Sequence, residues 1–452
     1  MAKYVIVGNG VTGTRAAEVV RRRDDAADVV ILTEEPYPFY RRPQLADFAS
    51  GAVGEARLWA KKTGFFEEQR LDLRLSTKVV DVDVEGHSVR LADGGSVPYD
   101  RLLVATGRRV TSGALAGGDL VGVNHFKTLD EARAVRELDG AGSTGVVYGN
   151  GLVAFELVRA LTSAGFATTY LVPTDRLWPE VLDEDAAEIA ASRVRSAGAE
   201  LVFGAALEAV DGDVGKAVGL VLKGGEHLHA DIVGVCAEYA PALEFLPEAG
   251  AGLVVGPGYT TPWADVYAAG DVTVGPDKRY FNWMRSWRQG ADVGAVLAGD
   301  GGASESSPID VLNMQVLGLS LVALGRTVVA YRSGDTEMRG DYPYGEFHKK
   351  LVFGPDDTLV GAFLLGNIAE AGVLEEAIRE GTKKADLPAD LLHQMFDVTY
   401  AAAYTGVQCP VCRHEIQLAS GAAVGDLITC PVCGTDLDLA QGAVGFKARL
   451  AR

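Results

Sequence analysis

Two glycine-rich turns in the sequence have the residue types and spacing that hold the diphosphate of a dinucleotide. The first reads G-N-G-V-T-G at Gly8 to Gly13, and the second reads G-N-G-L-V-A at Gly149 to Ala154. Each follows an apolar segment and precedes a helical pattern, which is the context that gives such a motif its meaning. Glycine there permits a tight turn and lets phosphates reach the free amides of the helix. We therefore expect two bound dinucleotides, although an ordinary strand–helix junction is the alternative for either turn alone.

A third segment indicates that one of the dinucleotides is a flavin. The apolar run from Val266 ends in Gly270-Asp271, as a buried strand followed by an acidic turn would. A carboxylate at that point can accept hydrogen bonds from a sugar-alcohol chain. Flavins have such a chain and nicotinamides lack it, so FAD is the expected cofactor of the first turn.

Four of the five cysteines form a second chemical centre near the end of the chain. They are Cys409, Cys412, Cys430 and Cys433, arranged as two C-x-x-C pairs. Two such knuckles close a tetrahedral site of four thiolates, which suits zinc or iron. Iron-binding C-x-x-C pairs are typically followed by a glycine, and here only the second pair is. Zinc is therefore the favoured metal and iron the alternative. The fifth cysteine, Cys236, lies in an apolar strand and is expected to be inert core.

Composition limits the partners that this chain can have. The chain has 452 residues, which is enough for about three domains. Its formal net charge is −19. A negative surface is repelled by nucleic acid and by anionic membranes, so neither is an expected partner. No apolar run approaches the length of a membrane span, and we expect a cytoplasmic protein.

The pattern of elements predicts an α/β fold with two Rossmann-like domains, a small α+β domain and a terminal zinc-ribbon or rubredoxin-like module. The expected FAD-binding domain comprises residues 1–112 and 232–305, with an NAD(P)-binding-like domain at 113–231 inserted between them. The small α+β domain is expected at 308–387, after a linker rich in glycine and serine. The four-cysteine module is expected at 404–440.

With these motifs in place, the chain resembles the FAD-dependent reductases of the NADH:rubredoxin and nitrite reductase type, within the pyridine nucleotide-disulfide oxidoreductase superfamily. The resemblance covers Met1 to Leu387 and includes the loop from Glu34 to Pro43, the turn at Thr106-Gly107-Arg108 and the segment from Phe347 to Gly366. The cysteine tail also resembles two kinds of module, the rubredoxin domains of rubrerythrins and the amino-group carrier proteins of lysine biosynthesis.

The resemblance implies roles for particular residues. Glu35, or Glu34 as second choice, would hold the adenosine ribose, and Arg42 would lie beside the flavin and its diphosphate. Gln289 would open a helix whose N-terminus stabilises negative charge on reduced flavin, and Glu156 would contact the nicotinamide. The full expected set of cofactor-binding residues is Gly8, Gly10, Val11, Thr12, Gly13, Glu34, Glu35, Arg42, Pro43, Val80, Thr106, Gly107, Arg108, Gly149, Gly151, Leu152, Val153, Glu156, Gly270, Asp271 and Gln289.

The expected activity is hydride transfer from NAD(P)H to FAD and onward to an electron-carrier protein or a small-molecule acceptor. No cysteine pair precedes Pro43, which argues against disulfide chemistry at the flavin. The strand after the second turn ends in Val172-Pro173 without the usual carboxylate and without an obvious arginine pair for a 2′-phosphate, so nicotinamide binding is expected to be weak, unusual or lost. Two alternatives therefore stay open: a flavin oxidase or monooxygenase with a structural zinc ribbon, and a redox-sensing or scaffold flavoprotein.

Overall fold

The computed structural model describes most of the chain. The described residues are 1–110, 115–236, 239–250, 252–274, 283–299, 309, 311–327, 334–340, 347–393, 395–397, 406–408, 415–418, 423–431, 435–441 and 446–450. Within these ranges, no helix has both the length and the apolar character needed to cross a membrane. The same residues form eight α-helices, numbered in chain order: α1 (Val11–Arg23), α2 (Leu45–Ala49), α3 (Phe65–Glu68), α4 (Leu129–Arg136), α5 (Leu152–Ala164), α6 (Glu184–Ser196), α7 (Trp283–Leu297) and α8 (Ala371–Glu380).

The first Rossmann-like unit is built on a five-stranded parallel sheet. Its spatial order is Val266–Ala268, Arg101–Val104, Lys3–Val7, Asp28–Leu32 and Asp72–Arg74. The central strands are rich in valine, isoleucine and leucine and are almost fully buried, as strands covered on both faces must be. Because all strands are parallel, their carboxyl ends lie at one edge of the sheet.

Helices α1 and α7 pack tightly against each other beside this sheet. Two glycines of α7 allow the approach: a Cβ atom on Gly290 would lie 2.6 Å from the Thr12 carbonyl oxygen, and one on Gly294 would lie 2.7 Å from that of Ala16. The close contact fixes the position of α1 relative to α7.

The second unit is also a five-stranded parallel sheet. Its order is Glu200–Phe203, Ala167–Val172, Thr144–Gly149, Ile232–Cys236 and Val123–Asn124. The pattern of elements predicted a return to the first domain at Ile232, and the structure corrects that boundary, because Ile232–Cys236 pairs with Gly145–Gly149. A fully apolar strand fits the interior of either parallel sheet, so its own residues do not say which one it joins. The chain returns at Tyr239–Pro241, which pairs with Arg108–Val110.

Smaller β elements complete the two units. Two antiparallel three-stranded sheets are formed by Val79–Asp83, Ser88–Leu91 and Ser96–Pro98 and by Leu207–Asp213, Lys216–Leu222 and His227–His229. A short parallel pair joins Leu253–Val254 to Thr273–Val274.

A six-stranded antiparallel sheet forms the third layer. Its order is Val311–Val316, Leu319–Gly325, Leu359–Leu365, His348–Phe353, Thr336–Gly340 and Met395–Asp397. Helix α8 contributes Leu374 to the core on one face, and Leu321 and Phe363 on the other face share a core with Leu157 of α5 and Ala187 of α6. The third layer is therefore packed onto the second unit.

A buried ion cluster joins the same two layers. Asp183, the N-cap of α6, accepts hydrogen bonds from Lys350 Nζ at 2.7 Å and from His348 Nε2 at 3.0 Å. Burial acts to raise the pKa of the Asp183 carboxyl, but the charge of Lys350 and the hydrogen bond from His348 hold it well below its usual value. The cluster ties the strand His348–Phe353 of the third layer to the start of α6.

The last residues form a separate small β module. Its described strands are Gly406–Gln408, Glu415–Gln417, Leu427–Thr429, Asp436–Gln441 and Phe446–Leu450. Its core is its own and comprises Val407, Ile416, Cys430, Leu437 and Leu439. Cys430 is 1% exposed, whereas the expected metal ligands Cys409, Cys412 and Cys433 lie outside the described residues.

Candidate active site

A cavity of about 920 Å³ opens at the carboxyl edge of the first sheet. This volume is at the upper end of the range for small-molecule sites and suits a ligand of dinucleotide size. Its walls come from the first glycine-rich turn, the loop after Asp28–Leu32, the N-terminus of α5 and the edge strand Val311–Val316. Of the residues that the sequence predicted, the cavity brings together Gly8, Gly10, Val11, Thr12, Glu34, Glu35, Arg42, Pro43, Val80, Thr106, Gly107, Arg108, Leu152, Val153, Glu156 and Asp271.

The first glycine-rich turn presents open backbone to this cavity. Gly8 has φ +115°, and a Cβ atom there would lie 2.4 Å from the Ala105 carbonyl oxygen. A Cβ atom on Gly13 would lie 2.0 Å from the Gly8 carbonyl oxygen, so both positions need glycine for packing. At Gly10, by contrast, a Cβ atom would meet nothing within 4 Å. A side chain there would fill the space beside the N-terminus of α1, where a diphosphate would rest.

The loop after the second strand holds an arginine inside the cavity. Arg42 donates to Glu35 Oε1 and to the hydroxyl of Tyr40, and the same hydroxyl donates to Glu35 Oε2 at 2.7 Å. Both oxygens of Glu35 therefore position Arg42 and Tyr40. Glu34 is exposed and lines the cavity beside Glu35.

Lys127 is a cavity residue that the sequence analysis missed. Its ammonium donates to the Arg108 carbonyl oxygen and lies 5.5 Å from the centre of the Tyr239 ring. Burial, and next the positive charge of Arg42, lower the pKa of Lys127 to about 8. A nearby anion would stabilise the charged form of this lysine and so oppose the effect of burial on its pKa.

The backbone around Lys127 is held by one carboxylate. Glu131 accepts N–H hydrogen bonds from His125 at 2.7 Å, Lys127 at 2.9 Å and Thr128 at 2.7 Å, and Thr128 and Glu131 form a capping box at the start of α4. The Thr-x-x-Glu spacing was readable in the sequence and could have indicated that Lys127 stands just before a helix.

The turn after Val266–Ala268 supplies the acidic end of the cavity. Arg108 Nε donates to the Asp271 carbonyl oxygen at 3.0 Å, and the Ser286 hydroxyl donates to Asp271 Oδ1 at 3.2 Å. Thr106 is fixed by its hydrogen bond to the Ala242 carbonyl oxygen at 2.7 Å. These contacts hold the Thr106 to Arg108 turn against Asp271.

Gln289 has a different position from the one expected. Helix α7 begins at Trp283, so Gln289 lies in its interior and does not open it. Its side-chain oxygen accepts a hydrogen bond from the Gly270 amide at 3.0 Å, and it is not among the cavity residues. The cavity wall here is instead formed by Trp283, Met284 and Ser286. The apolar pattern of α7 continues upstream of Gln289, so the helix is longer at its N-terminal end than predicted.

The second glycine-rich turn stands beside the cavity. Gly149 has φ +153°, and a Cβ atom there would lie 2.5 Å from the Cys236 carbonyl oxygen. Leu152, Val153 and Glu156 of α5 line the cavity. The predicted residues Gly13, Gly149, Gly151, Gly270 and Gln289 do not.

Glu156 is a partly buried carboxylate at the junction of the two units. Burial raises its pKa, while Arg159 opposes the rise by donating to Glu156 Oε2 at 2.7 Å. Arg159 also donates to Asp47 of α2 at 2.5 Å. The pair therefore fixes the Glu156 side chain at the cavity wall.

No cysteine is found among the described residues that line the cavity. Cys236 is 3% exposed, and burial raises the pKa of its thiol. The described part of the site therefore contains none of the thiols that disulfide chemistry needs.

Comparison with known families matches two parts of the chain. Residues 2–290 match the family model described as pyridine nucleotide-disulphide oxidoreductase. Residues 407–441 match the model described as alpha-aminoadipate carrier protein LysW-like, globular domain, which is a zinc ribbon.

Individual relatives are similar over most of the chain. The ferredoxin–NAD(+) reductase component of the anthranilate 1,2-dioxygenase system of Burkholderia cepacia is 30% identical, over 84% of this chain and 94% of its own. The epsilon subunit of NADH-dependent phenylglyoxylate dehydrogenase of Aromatoleum evansii is 25% identical, over 84% and 92%. Among solved structures, the covalent putidaredoxin reductase–putidaredoxin complex matches with a TM-score of 0.77 and 19% identity, over 86% of this chain and 95% of that one. This last match confirms the predicted α/β fold.

Proposed function

The chain belongs to the pyridine nucleotide-disulphide oxidoreductase family, and from that premise we propose that it is an FAD-dependent reductase. In this proposal it takes electrons from a nicotinamide cofactor and delivers them to a small electron-carrier protein. The relatives named above include a ferredoxin reductase and a subunit of an NADH-dependent dehydrogenase. A rubredoxin–NAD(+) reductase of Ectopseudomonas oleovorans is also 28% identical, over 59% of this chain and 71% of its own.

One observation carries the proposal: a single cavity is lined by residues of both dinucleotide units. It extends from Gly10 in the first turn to Leu152 and Glu156 at the start of α5. Two cofactors that exchange a hydride must meet in van der Waals contact, which requires such a shared space. The lack of cysteine among the described cavity residues favours transfer of electrons out of the protein over transfer to an internal disulfide.

The residues of the first unit fit FAD. When bound, FAD accepts a hydride and passes electrons on one or two at a time. We assign Gly10 and the N-terminus of α1 to the diphosphate, Glu34 to the adenosine ribose and Asp271 to the ribityl chain. Arg42 and Lys127 supply positive charge in the same cavity. Phe39 and Trp283, stacked at 5.6 Å, form an apolar wall that keeps water away.

The residues of the second unit fit a nicotinamide cofactor. Leu152 and Val153 present apolar side chains and the helix N-terminus of α5, and Glu156 offers a carboxylate that can accept hydrogen bonds from a carboxamide. Arg159 holds that carboxylate in place. We keep a nicotinamide site in the proposal because both turns lie within the region that matches the family.

The surface next to the cavity offers a place for an electron carrier. Trp287 is 40% exposed and Met284 is 47% exposed, on a helix whose first residues line the cavity. The guanidinium of Arg15 lies 4.4 Å from the centre of the Trp287 ring. An exposed tryptophan and methionine with one cation match the composition of hot spots in protein interfaces.

The terminal module is proposed to hold one structural zinc ion. Its four cysteines supply the donor set, and Cys430 is already buried in the small core. A module of this size lacks enough apolar core to be stable alone, so metal binding would supply the missing folding energy. Thiolate ligands persist in a reducing compartment, which fits a cytoplasmic location within the same proposal.

The proposal is tested by mixing the purified protein anaerobically with NADH or NADPH in a stopped-flow instrument. Bleaching of the visible absorbance of bound FAD, followed by reduction of added rubredoxin or ferredoxin, is the expected result. Trp287→Ala should slow carrier reduction and leave bleaching unchanged. If neither nicotinamide bleaches the flavin, the reductase proposal fails. Oxygen consumption that depends on an organic substrate would instead favour the oxidase alternative.

A further inference from the structure

The second dinucleotide turn differs from the first at the positions that read the adenosine ribose. The strand register shows which residues of the two units correspond. In the first unit, Val7 precedes Gly8 and pairs with Leu32. In the second unit, Tyr148 precedes Gly149 and pairs with Leu171. Counting on from these partners, the positions of Glu34 and Glu35 correspond to Pro173 and Thr174. The second unit thus has no carboxylate where the first has two.

An arginine stands close to the same place. Arg176 belongs to the loop that follows Ala167–Val172, and Asn150, the residue between the two glycines of the second turn, holds this loop. Asn150 Nδ2 donates to Thr174 Oγ1 at 2.5 Å and to the Arg176 carbonyl oxygen at 3.1 Å, and the Trp178 amide donates to Asn150 Oδ1 at 2.6 Å. The main chain of Arg176 is therefore in direct contact with the dinucleotide turn.

The guanidinium of Arg176 is not committed to a strong partner. Its Nη1 lies 4.0 Å from Glu184 Oε1, at the outer limit of an ion pair. Its Nε is buried and has no hydrogen-bond acceptor among the described residues. With Nε buried, the terminal N–H groups are the donors that Arg176 can offer to a ligand, and arginine is the side chain best suited to bind a phosphate group.

From these observations, and resting on the reductase function proposed above, we propose that Arg176 binds the 2′-phosphate of NADPH and makes NADPH the preferred electron donor. A carboxylate at the strand end favours NADH by accepting hydrogen bonds from the 2′-hydroxyl, and it would repel a 2′-phosphate. With Pro173 and Thr174 at these positions, there is no carboxylate to bind the 2′-hydroxyl or to repel a 2′-phosphate. Arg176 adds a positive charge that attracts the phosphate. Asp175, exposed beside Arg176, is the residue that could instead select NADH.

The test uses the FAD-loaded protein and compares NADPH with NADH as donors in flavin bleaching. In the wild type, half-saturation is expected at a concentration of NADPH at least about tenfold lower than of NADH. Arg176→Ala should raise the half-saturating NADPH concentration about tenfold to a hundredfold, which is the worth of a charge-assisted hydrogen bond. It should leave the value for NADH unchanged. The matched control is Arg195→Ala, which removes an arginine paired with Glu188 in the last turn of α6.

A second readout needs no electron transfer. Adenosine 2′,5′-bisphosphate and adenosine 5′-monophosphate differ only in the 2′-phosphate, and calorimetric titration should show tighter binding of the bisphosphate, which Arg176→Ala abolishes. A wild type that prefers NADH, with weaker NADH binding in Asp175→Asn, overturns the inference and leaves the reductase function intact. If neither donor bleaches the flavin, the reductase proposal fails, and this titration still decides the role of Arg176.

Discussion

Replacement of Lys127 by methionine should weaken FAD binding and remove its dependence on pH. In the cofactor-free cavity, burial and Arg42 lower the pKa of Lys127 to about 8. A bound diphosphate would restore the ammonium toward its usual pKa of about 10.4. FAD binding then takes up a proton whenever Lys127 is deprotonated in the free protein. The affinity for FAD is therefore highest well below pH 8 and falls as pH rises through that value.

The size of the effect follows from these two pKa values. At pH 7 nearly all free protein carries the charged lysine, and at pH 9 only about a tenth does. The dissociation constant of FAD should therefore be about tenfold larger at pH 9 than at pH 7, which is about 1.4 kcal/mol. Fluorescence titration of the cofactor-free protein with FAD at several pH values measures this directly.

Two variants separate the charge of Lys127 from its packing. Lys127→Met should bind FAD about tenfold or more weakly at pH 7, with no change between pH 7 and 9. Lys127→Arg keeps the charge over the whole range and should retain affinity without the pH dependence. A wild-type dissociation constant that is the same at both pH values, or a methionine variant with the same slope as the wild type, would refute the reasoning.

Three further predictions concern the fold and the metal. Asp183→Ala should lower the free energy of unfolding at pH 7 by about 3–5 kcal/mol in urea denaturation, because it leaves Lys350 buried without its carboxylate. In the wild type this contribution should be present above the ordinary carboxyl pKa and be lost as pH falls through the lowered one, and a loss below about 1 kcal/mol would contradict it. Gly10→Ala should leave the cofactor-free melting temperature unchanged but weaken FAD binding at least about tenfold, whereas Gly13→Ala, whose Cβ would clash with backbone, should lower the melting temperature itself. Cys430→Ser should reduce bound zinc from about one ion per chain toward none in elemental analysis, and unchanged zinc would show that the ribbon does not use this thiol.

The sequence determined the features that depend on local spacing. The turns at Gly8 and Gly149, each between an apolar strand and a helix, were enough to predict two Rossmann-like units, because the motif and its flanking elements are contiguous. The comparisons confirm the family and the terminal zinc ribbon. Spacing also predicted the donor set of the ribbon, since each pair of thiols is separated by only two residues.

Tertiary structure decided everything that depends on which distant segments meet. Ile232–Cys236 is an apolar strand that either sheet could accept, and only its pairing with Gly145–Gly149 assigns it to the second. Glu34 and Glu35 are neighbours in sequence and both line the cavity, yet only the fold shows that Glu35 is the one that accepts hydrogen bonds from Arg42 and Tyr40. A motif of adjacent residues can be recognised from the sequence because its spacing is local. The contacts of a side chain depend instead on long-range packing, which residue spacing alone does not determine.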